Sequence, residues 1–515
     1  MREVVFVLLA YAALALAFRG WGVLAARALQ ITPSDEATRI WLGWAFALLI
    51  FQVLHLAVPL NVLATVPVFL IGITFSIPRR RYTRRGMIML LVIAAVAVWI
   101  AMRSMLTPLV YDAGLYHFQT IRWLESFPIV PGLGNLHGRL GFNQSFFTYA
   151  ASLGVFEHGS RIANGFLFLL TTATFLARLR PLADRPFANV PSIFALPVLG
   201  FLAFSSPGFA SPTPDLASEL LQLVIFVLLA GVLFDRKLDD DASIVAILAA
   251  TAITIKLSNL VFAAVVLAIA FGLARRWRVI AFVMAVLAIW MTRGYLTTGA
   301  PMYPSTIGHI AFDWAVPRDE AAQMTALIRE WARKPNTGWV NPLEWRMSAG
   351  LLGVACAVIT LTKQRRLREL LILAPVFAGL AFWFFTAPDP RFAHALFFCF
   401  AMAAAMLFLV SVRPWAPRIL FSLIVTAILG LTYRGVMLHA IRERATIANI
   451  SMHWQPLPIV PTIRTTTASG LVVLLPTKDD RCWDSPLPCT PYFRYMLRER
   501  VPGRVASGFS VTPAY

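Results

Sequence analysis

The sequence predicts an all-α membrane protein with many spanning helices. Hydrophobic residues make up 59% of the 515 residues and charged residues only 14%, and the mean hydropathy is +0.72. Soluble globular proteins carry about 25% charged and about 45–50% apolar residues. A chain of this composition could not present a soluble surface, so intrinsic disorder, a secreted disulfide scaffold and an ordinary cytosolic enzyme are excluded.

Apolar segments long enough to cross a bilayer recur along the chain, and we expect about fourteen spans. They lie at roughly 4–18, 41–58, 61–77, 87–102, 162–178, 190–205, 216–234, 242–256, 258–273, 279–293, 347–363, 369–386, 393–411 and 418–433. The first is short enough to resemble a signal peptide. Because Arg2 and Glu3 nearly cancel in charge and no small-residue cleavage site follows, we interpret it as a helix.

Basic residues gather in the connections that follow the odd-numbered spans, as at residues 79–85, 275–278 and 363–368. The net charge of +20 is therefore spread over short clusters rather than one soluble face, and nucleic-acid binding is not expected. An excess of Lys and Arg holds loops on the cytoplasmic side. The odd connections are thus expected to be cytoplasmic, which places residues 103–161, 294–346 and the chain after 434 outside.

The chain is predicted to divide into two parts. Residues 1–433 form a transmembrane domain with the two outer loops 103–161 and 294–346. Residues 434–515 form a small α/β module on the outer membrane surface. In this module GLVVLLP predicts a buried strand and YFRYMLRER predicts a short helix.

The four cysteines fall into two classes. Cys482 and Cys489 lie in the polar segment RCWDSPLPC, where two prolines bend the chain, and a local disulfide in an oxidising compartment is expected. Cys356 and Cys399 lie in apolar segments, where a small buried side chain is the ordinary role of cysteine. No CxxC or paired histidines accompany them, so zinc is not expected.

The outer loop 103–161 is rich in polar side chains that could perform chemistry. Asp112 directly follows an apolar span and begins a predicted amphipathic helix. A second amphipathic helix is predicted after Gln144. A carboxylate at the bilayer edge beside His, Arg and amide side chains is a candidate general-base site. The accompanying candidates for substrate binding are His117, Arg122, His137, Asn143 and Gln144. The alternative is a solvated polar loop whose aromatic residues anchor it at the interface.

Two acidic residues lie four apart where a later span begins, in SSPGFASPTPDLASELL. Asp215 and Glu219 share one helical face. Capping the helix N-terminus is the alternative role for Asp215. Glu219 lies deeper, where a carboxylate is costly and is usually functional.

Two basic residues lie near the outer ends of later spans. Lys256, in TAITIKLSNLVF, could bind an anionic lipid phosphate or could snorkel to the surface. Arg391, in TAPDPRFAHALFF, is a similar candidate, although a local pair with Asp389 would also explain it.

Several familiar chemistries are missing from the sequence. No Walker A loop, GxSxG elbow or HExxH motif is present. The spans also lack the dense charges of a proton-coupled transporter.

These motifs together resemble the GT-C superfamily of membrane glycosyltransferases, which includes protein O-mannosyltransferases and lipid A aminoarabinose transferases. The acidic residue of that family's first long outer loop is matched by Asp112 in YDAGLYHFQTIRW. A T-x-D-like motif is matched by Thr213 and Asp215, and a lysine between two spans by Lys256. The resemblance covers most of residues 87–411. Ala113 stands where the family often has Glu in an Asp-Glu pair. The segments RGYLTTGAPMYPS and PDPRF are similar to segments found in a large group of bacterial membrane proteins with little assigned function.

The resemblance implies inverting transfer of a sugar from a polyprenyl-phosphate carrier to a lipid, glycan or protein acceptor of the cell envelope. The reaction would occur at the outer face of a bacterial cytoplasmic membrane. Asp112 would take or orient the acceptor's proton, and Lys256 and Arg391 would neutralise the leaving phosphate. A divalent metal ion is left open as a cofactor.

A transporter or flippase, or a polymerase of an envelope polysaccharide or lipid, is the alternative. Transporters usually carry polar residues near the middle of several spans and often contain internal repeats. Here the polar residues gather at the outer ends, which favours catalysis at the surface.

Overall fold

The computed structural model describes residues 1–76, 83–179, 190–235, 239–334, 370–393, 395–411 and 450–511. The described chain is predominantly helical. Its α-helices are α1 Arg2–Leu29, α2 Glu36–Leu54, α3 Val62–Thr74, α4 Arg84–Ser104, α5 Phe118–Ser126, α6 Leu133–Leu136, α7 Ser145–Ser152, α8 Ala163–Arg178, α9 Val190–Ser205, α10 Pro214–Asp235, α11 Asp239–Ile255, α12 Leu260–Leu273, α13 Trp277–Thr298, α14 Arg318–Ala332, α15 Leu373–Thr386, α16 Pro390–Ala393 and α17 Leu396–Ser411.

Six of the described helices are long and apolar enough to cross a membrane, by length and composition. They are α1, α2, α4, α8 with its preceding turn, α10 and α13. Large apolar side chains are exposed on several helices, for example Leu9 on α1, Leu63 on α3 and Leu91 on α4. Exposed apolar helix faces of this kind suit contact with lipid. The chain is therefore a helical membrane protein.

Most of the predicted spans fall on helices. Twelve of them coincide with α1 to α4, α8 to α13, α15 and α17, although several of these helices are shorter than a bilayer requires. The segments 347–363 and 418–433, together with Cys356, lie outside the described residues. The first helix continues to Leu29, well beyond the predicted end near residue 18. The total number of spans stays a prediction.

The first three helices pack closely because small residues lie at their contacts. A Cβ atom at Gly43 of α2 would lie 1.7 Å from the carbonyl oxygen of Phe18 in α1. Small residues let helix backbones approach in this way inside membranes. Three of the helices in this region have a side-chain N-cap. The side chains of Asp35, Asn61 and Thr83 accept hydrogen bonds from backbone N–H groups in the first turns of α2, α3 and α4.

The described connections that carry the basic clusters lie together at one end of the helices, which we call the basic end. Arg178, at the end of α8, lies 3.0 Å from Asp241 at the start of α11. Arg276, before α13, pairs with Asp240 and donates to the carbonyl of Gln30 after α1. These contacts agree with the prediction that the odd connections share one side.

The opposite end, which we call the loop end, contains residues 105–162, 299–317 and 450–511. These segments pack on one another: Phe509 donates its backbone N–H to the carbonyl of Pro131 at 2.9 Å, and Asn135 donates to the carbonyl of Trp314 at 2.8 Å. Helix α7 in this region was predicted to be amphipathic, but all eight of its residues are buried. It packs against α2, α5 and α11 and exposes no polar face to water.

The tail over residues 450–511 contains two antiparallel hairpins, β1 Thr462–Thr466 with β2 Val472–Pro476, and β3 Leu497–Glu499 with β4 Phe509–Val511. The strand predicted in GLVVLLP is confirmed as β2. The helix predicted in YFRYMLRER is wrong, because Leu497 is buried and Arg498 exposed in a two-residue alternation that pairs with β4. Residues 450–511 contain no α-helix, so this described part of the predicted α/β module is β and irregular.

Candidate functional site

Asp112 lies at the loop end, where the chain enters a single π-helical turn over Ala113–His117. Its side chain is only 16% exposed. Arg139 Nη1 donates to Asp112 Oδ1 at 2.8 Å, and Arg391 Nη1 lies 3.8 Å from Asp112 Oδ2. The predicted base is thus a carboxylate held between two guanidinium groups.

Asp215 lies in the first turn of α10, beside the point where α11 ends. Lys256, the residue after α11, donates from Nζ to Asp215 Oδ1. Arg391 Nε lies 3.6 Å from Asp215 Oδ2. The side chain of Asp215 therefore does more than cap its own helix, and that of Lys256 does not simply snorkel to water.

Arg391 lies between the two carboxylates and joins these pairs into one network. Its backbone N–H donates to the carboxylate of Asp389 at 2.8 Å. The backbone carbonyl of Asp389 accepts from the indole of Trp383 at 2.7 Å, which fixes the short helix α16 against α15. The PDPRF segment is thereby positioned to present Arg391 to residues from two other parts of the chain.

We call Asp112, Arg139, Asp215, Lys256 and Arg391 the charged cluster. Three cations and two carboxylates leave it one formal positive charge. Aromatic rings flank the cations: Phe392 lies 4.6 Å from Lys256 Nζ and 4.8 Å from Arg391 Cζ, and Trp331 of α14 lies 5.0 Å from Arg391 Cζ. Such contacts hold cations in place without neutralising their charge.

The cluster suits an anionic ligand. Cations in a partly buried site attract anions because the low-dielectric surroundings strengthen their field, and the neighbouring Asp389 carboxylate offsets part of the charge of Arg391. Arg391 remains 39% exposed at its side chain, so the cluster is accessible from the loop end. The cluster can therefore combine anion binding by its cations with proton acceptance by Asp112.

His117 is buried close to the charged cluster. Burial lowers the pKa of His117 to about 4, although the carboxylates of Asp112 and Asp215 oppose this shift. Its Nδ1 has no hydrogen-bond partner among the described residues. His117 is therefore a neutral imidazole at pH 7, suited to hydrogen bonding with a neutral polar group.

The other predicted site residues lie outside the cluster. Arg122 pairs with Asp484 of the tail at 2.8 Å. His137 packs against the ring of Tyr492, and its pKa is lowered to about 3 by burial and by the nearby Arg139 and Arg494.

Asn143 and Gln144 lie against a neighbouring cavity, and Glu219 lies one turn deeper than Asp215. Asn143 Nδ2 donates to the carbonyl of Trp290 at 2.6 Å, so this amide holds the loop against α13. Gln144 lines the cavity. Glu219 is 4% exposed in α10.

Several residues of the site were not assigned to it from the sequence. Arg139 is one of several polar residues in its loop, and nothing in the local pattern indicates that it would face Asp112. Trp331 lies on an amphipathic helix far along the chain, and Phe392 differs in no way from other aromatic residues near a span. Only tertiary contact identifies them.

The tail disulfide predicted from spacing is present: Cys482 and Cys489 are joined, with Cα atoms 6.0 Å apart. Its loop docks on the turn that follows Asp112. Trp483 donates its backbone N–H to the carbonyl of Gly114 at 2.8 Å, and Gln119 Nε2 donates to the carbonyl of Trp483 at 3.0 Å. A Cβ atom at Gly114 would lie 2.5 Å from the indole of Trp483, so this close approach requires glycine. The disulfide loop thus supports the backbone that carries Asp112.

Glu125 in α5 provides a pH-dependent test of this docking region. Burial, together with the charge of Asp484, raises the pKa of Glu125 to about 7, while Arg122 opposes the shift. Between its usual pKa and about 7, the folded protein binds more protons than the unfolded chain, so stability falls as pH rises. We expect the unfolding temperature of the purified protein to fall between about pH 5 and pH 8.

Glu125→Gln, which mimics the protonated acid, should flatten this decline when unfolding is followed by tryptophan fluorescence. Glu157→Gln is the matched control, because the Glu157 side chain is 80% exposed. An equal decline in wild type and Glu125→Gln would show that Glu125 is not the titrating group.

The cluster does not fit the divalent metal ion that the resemblance left open. Its carboxylates, Asp112 and Asp215, each already face two cationic side chains. A divalent ion there would lie beside three positive charges. In the described parts of the chain, no group of three or more His, Cys, Asp or Glu side chains could hold a metal ion.

Comparison with known proteins gives one match. A family model described as a domain of unknown function, DUF8201, matches residues 4–398. The matched region contains all five residues of the charged cluster and ends before the tail. No curated protein and no solved structure matches the chain.

Proposed function

The chain belongs to the DUF8201 family, and from the charged cluster in the matched region we propose that the protein is a GT-C-type inverting glycosyltransferase. It transfers a sugar from a polyprenyl-phosphate carrier to a lipid, glycan or protein acceptor of the cell envelope. The single observation that carries the proposal is the convergence of Asp112, Asp215, Lys256 and Arg391 on one site.

The reaction is a displacement at the anomeric carbon of the sugar. The acceptor oxygen forms a bond to that carbon while the bond to the carrier phosphate breaks and its electron pair leaves with the phosphate oxygen. Asp112 accepts or orients the acceptor's proton. Lys256 and Arg391 stabilise the negative charge that develops on the phosphate, which is the kind of preorganised electrostatic contribution that lowers such barriers most.

The ion pairs of Asp112 shape this role. Arg139, which donates to Asp112 at 2.8 Å, fixes the direction of the carboxylate. Orientation of the acceptor contributes alongside proton acceptance.

The depth of the cluster supports a lipid-linked donor. Asp215 and Lys256 lie at the ends of α10 and α11, two strongly apolar helices, and so lie near the level at which a lipid phosphate meets water. The carrier's chain can then remain among the exposed apolar helix faces. No nucleotide site is needed for this reaction.

We place the protein in the bacterial cytoplasmic membrane with the loop end facing the periplasm or exterior. The support is the basic end, since an excess of Arg and Lys is retained in the cytoplasm, and the disulfide at the loop end, which needs an oxidising compartment. An impermeant maleimide applied to intact spheroplasts should label Lys478→Cys and should label Arg84→Cys only after lysis. Both residues are exposed, and the wild type controls for native cysteines. The reverse pattern contradicts this orientation.

The test of the function is turnover by the purified protein in liposomes. Radiolabelled polyprenyl-phosphate sugars are supplied with an envelope lipid and glycan extract, and free polyprenyl phosphate and labelled acceptor are measured. We expect both products in equal amounts. Movement of intact donor between leaflets without bond cleavage would instead support the transporter or flippase. Growth of a glycan chain by repeat units would support the polymerase.

A further inference from the structure

A second candidate site lies next to the charged cluster, in a cavity with two arginines in a largely apolar lining. The cavity has a volume of about 40 Å³ and is enclosed by α13, the end of α2 and the loop that contains Gln144. A space of about 10–15 Å³ on this measure holds one water molecule, so the cavity holds a few waters or one small polar group. Two arginines and no acidic residue line it.

Arg293 is the residue that makes this cavity unusual. Its side chain is 5% exposed, and no carboxylate among the described residues forms an ion pair with it. Nη1 donates to the carbonyl of Gln52 at 3.3 Å and to His55 Nδ1 at 2.9 Å, while Nε has no acceptor in the described part of the chain. Arginine stays charged in proteins. A buried, uncompensated charge is costly unless a counter-ion accompanies it.

His55 does not supply that counter-charge. Because Arg293 can only donate, His55 Nδ1 must accept, and the ring proton then lies on Nε2. Nε2 lies 3.1 Å from the carbonyl oxygen of Phe127, which accepts that proton's hydrogen bond. The imidazole is therefore neutral and serves to orient the guanidinium.

The rest of the lining is largely apolar, and its polar groups include the Gln144 amide. Gln144 lines the cavity, and its Oε1 has no hydrogen-bond partner in the described chain. A flip of this side-chain amide would point its NH₂ group, a hydrogen-bond donor, at a ligand. Arg139, which also lines the cavity, is paired with Asp112 and marks the boundary with the charged cluster. We propose that this cavity, built by Arg293, His55 and Gln144, is a binding site for a phosphate group, separate from the charged cluster.

The proposal is independent of sugar transfer and is tested by binding alone. Equilibrium binding of radiolabelled inorganic phosphate is measured on the full chain in neutral nanodiscs. In a second arm, nanodiscs containing phosphatidic acid are used without free phosphate, and retained lipid is quantified by mass spectrometry. Binding in the first arm identifies a soluble phosphate source, and binding in the second identifies a lipid headgroup.

The variants separate this cavity from the cluster. Arg293→Gln should weaken binding by about 10–100-fold, the range for loss of a charge-assisted hydrogen bond. Gln144→Glu leaves Arg293 in place but introduces a competing carboxylate, and it should weaken binding similarly even if Arg293→Gln folds poorly. Arg500→Gln is the matched surface control, since the Arg500 side chain is 28% exposed and pairs with Asp313.

Lys256→Met controls for phosphate held by the charged cluster. We expect Lys256→Met to retain the phosphate binding that Gln144→Glu loses, whatever further phosphate the charged cluster itself holds in the wild type. Loss in Lys256→Met with full binding in Gln144→Glu would assign the phosphate to the cluster and overturn the proposal. Absence of binding by the wild type in both arms would also overturn it.

Discussion

Asp112→Asn is expected to lower the rate of sugar transfer by about 10²–10⁴-fold, the usual contribution of a general base. Asparagine keeps the shape of the side chain and can still accept from Arg139 through its oxygen, but it cannot take a proton. The substitution also removes a negative charge between two guanidinium groups, so donor binding should be retained or tightened. The kinetic signature is therefore a fall in kcat with KM for the donor unchanged or lower, measured on purified protein in liposomes.

The control for this prediction is Asp313→Asn. Asp313 is also an aspartate at the loop end whose loss breaks an ion pair with arginine, here Arg500 at 2.8 Å, but its side chain is 61% exposed. Surface pairs of this kind contribute about 0–1 kcal/mol, so this variant should transfer sugar at the wild-type rate. If Asp112→Asn also does so, Asp112 is neither the base nor an orienting group, and Asp215 or Glu219 becomes the next candidate.

Lys256→Met should reduce kcat/KM for the lipid-linked donor by about 10²–10³-fold, comparable to removal of one group that stabilises a developing oxyanion. Methionine keeps an unbranched stem and removes the ammonium group, together with the contact of that group with the ring of Phe392. The loss should appear mainly in the kinetic parameters for the donor, because the role we propose for the ammonium is to neutralise the leaving phosphate. Initial rates over a range of donor concentrations, at saturating acceptor, measure it.

A structural explanation must be separated from this one, because Lys256 also pairs with Asp215. Removing Lys256 leaves the largely buried Asp215 with Arg391 as its remaining cation, and the loss of a buried ion-pair partner destabilises the fold. The double variant Lys256→Met with Asp215→Asn removes both charges and should recover thermal stability. If Lys256 acts on the phosphate, the double variant stays slow; recovery of transfer along with stability would mean that the pair is only structural. Lys478→Met, at an exposed lysine of the tail, is the matched control.

The sequence by itself determined the class of the protein and the types of residue in its site. Apolar runs are a property of local composition, and twelve predicted spans therefore fall on helices. The span predicted at 61–77, for example, corresponds to α3 at Val62–Thr74. The disulfide followed from local spacing, since seven positions separate Cys482 from Cys489. Asp112, Asp215, Lys256 and Arg391 could be singled out because they lie near the predicted outer ends of apolar spans.

Only the tertiary structure decided which of these residues meet. Arg122, His137 and Asn143 have the same polar character as Arg139, yet they support the tail or the loop packing, whereas Arg139 faces Asp112. The helix predicted at 492–500 was wrong for a related reason. Residues in this segment pair with β4 as a strand, and this pairing outweighs the helical preference of the local sequence. Arg293 and His55 lie on different helices, and no local pattern links them. Contacts between residues distant in sequence depend on how helices and loops pack, and that packing is set by the whole chain at once.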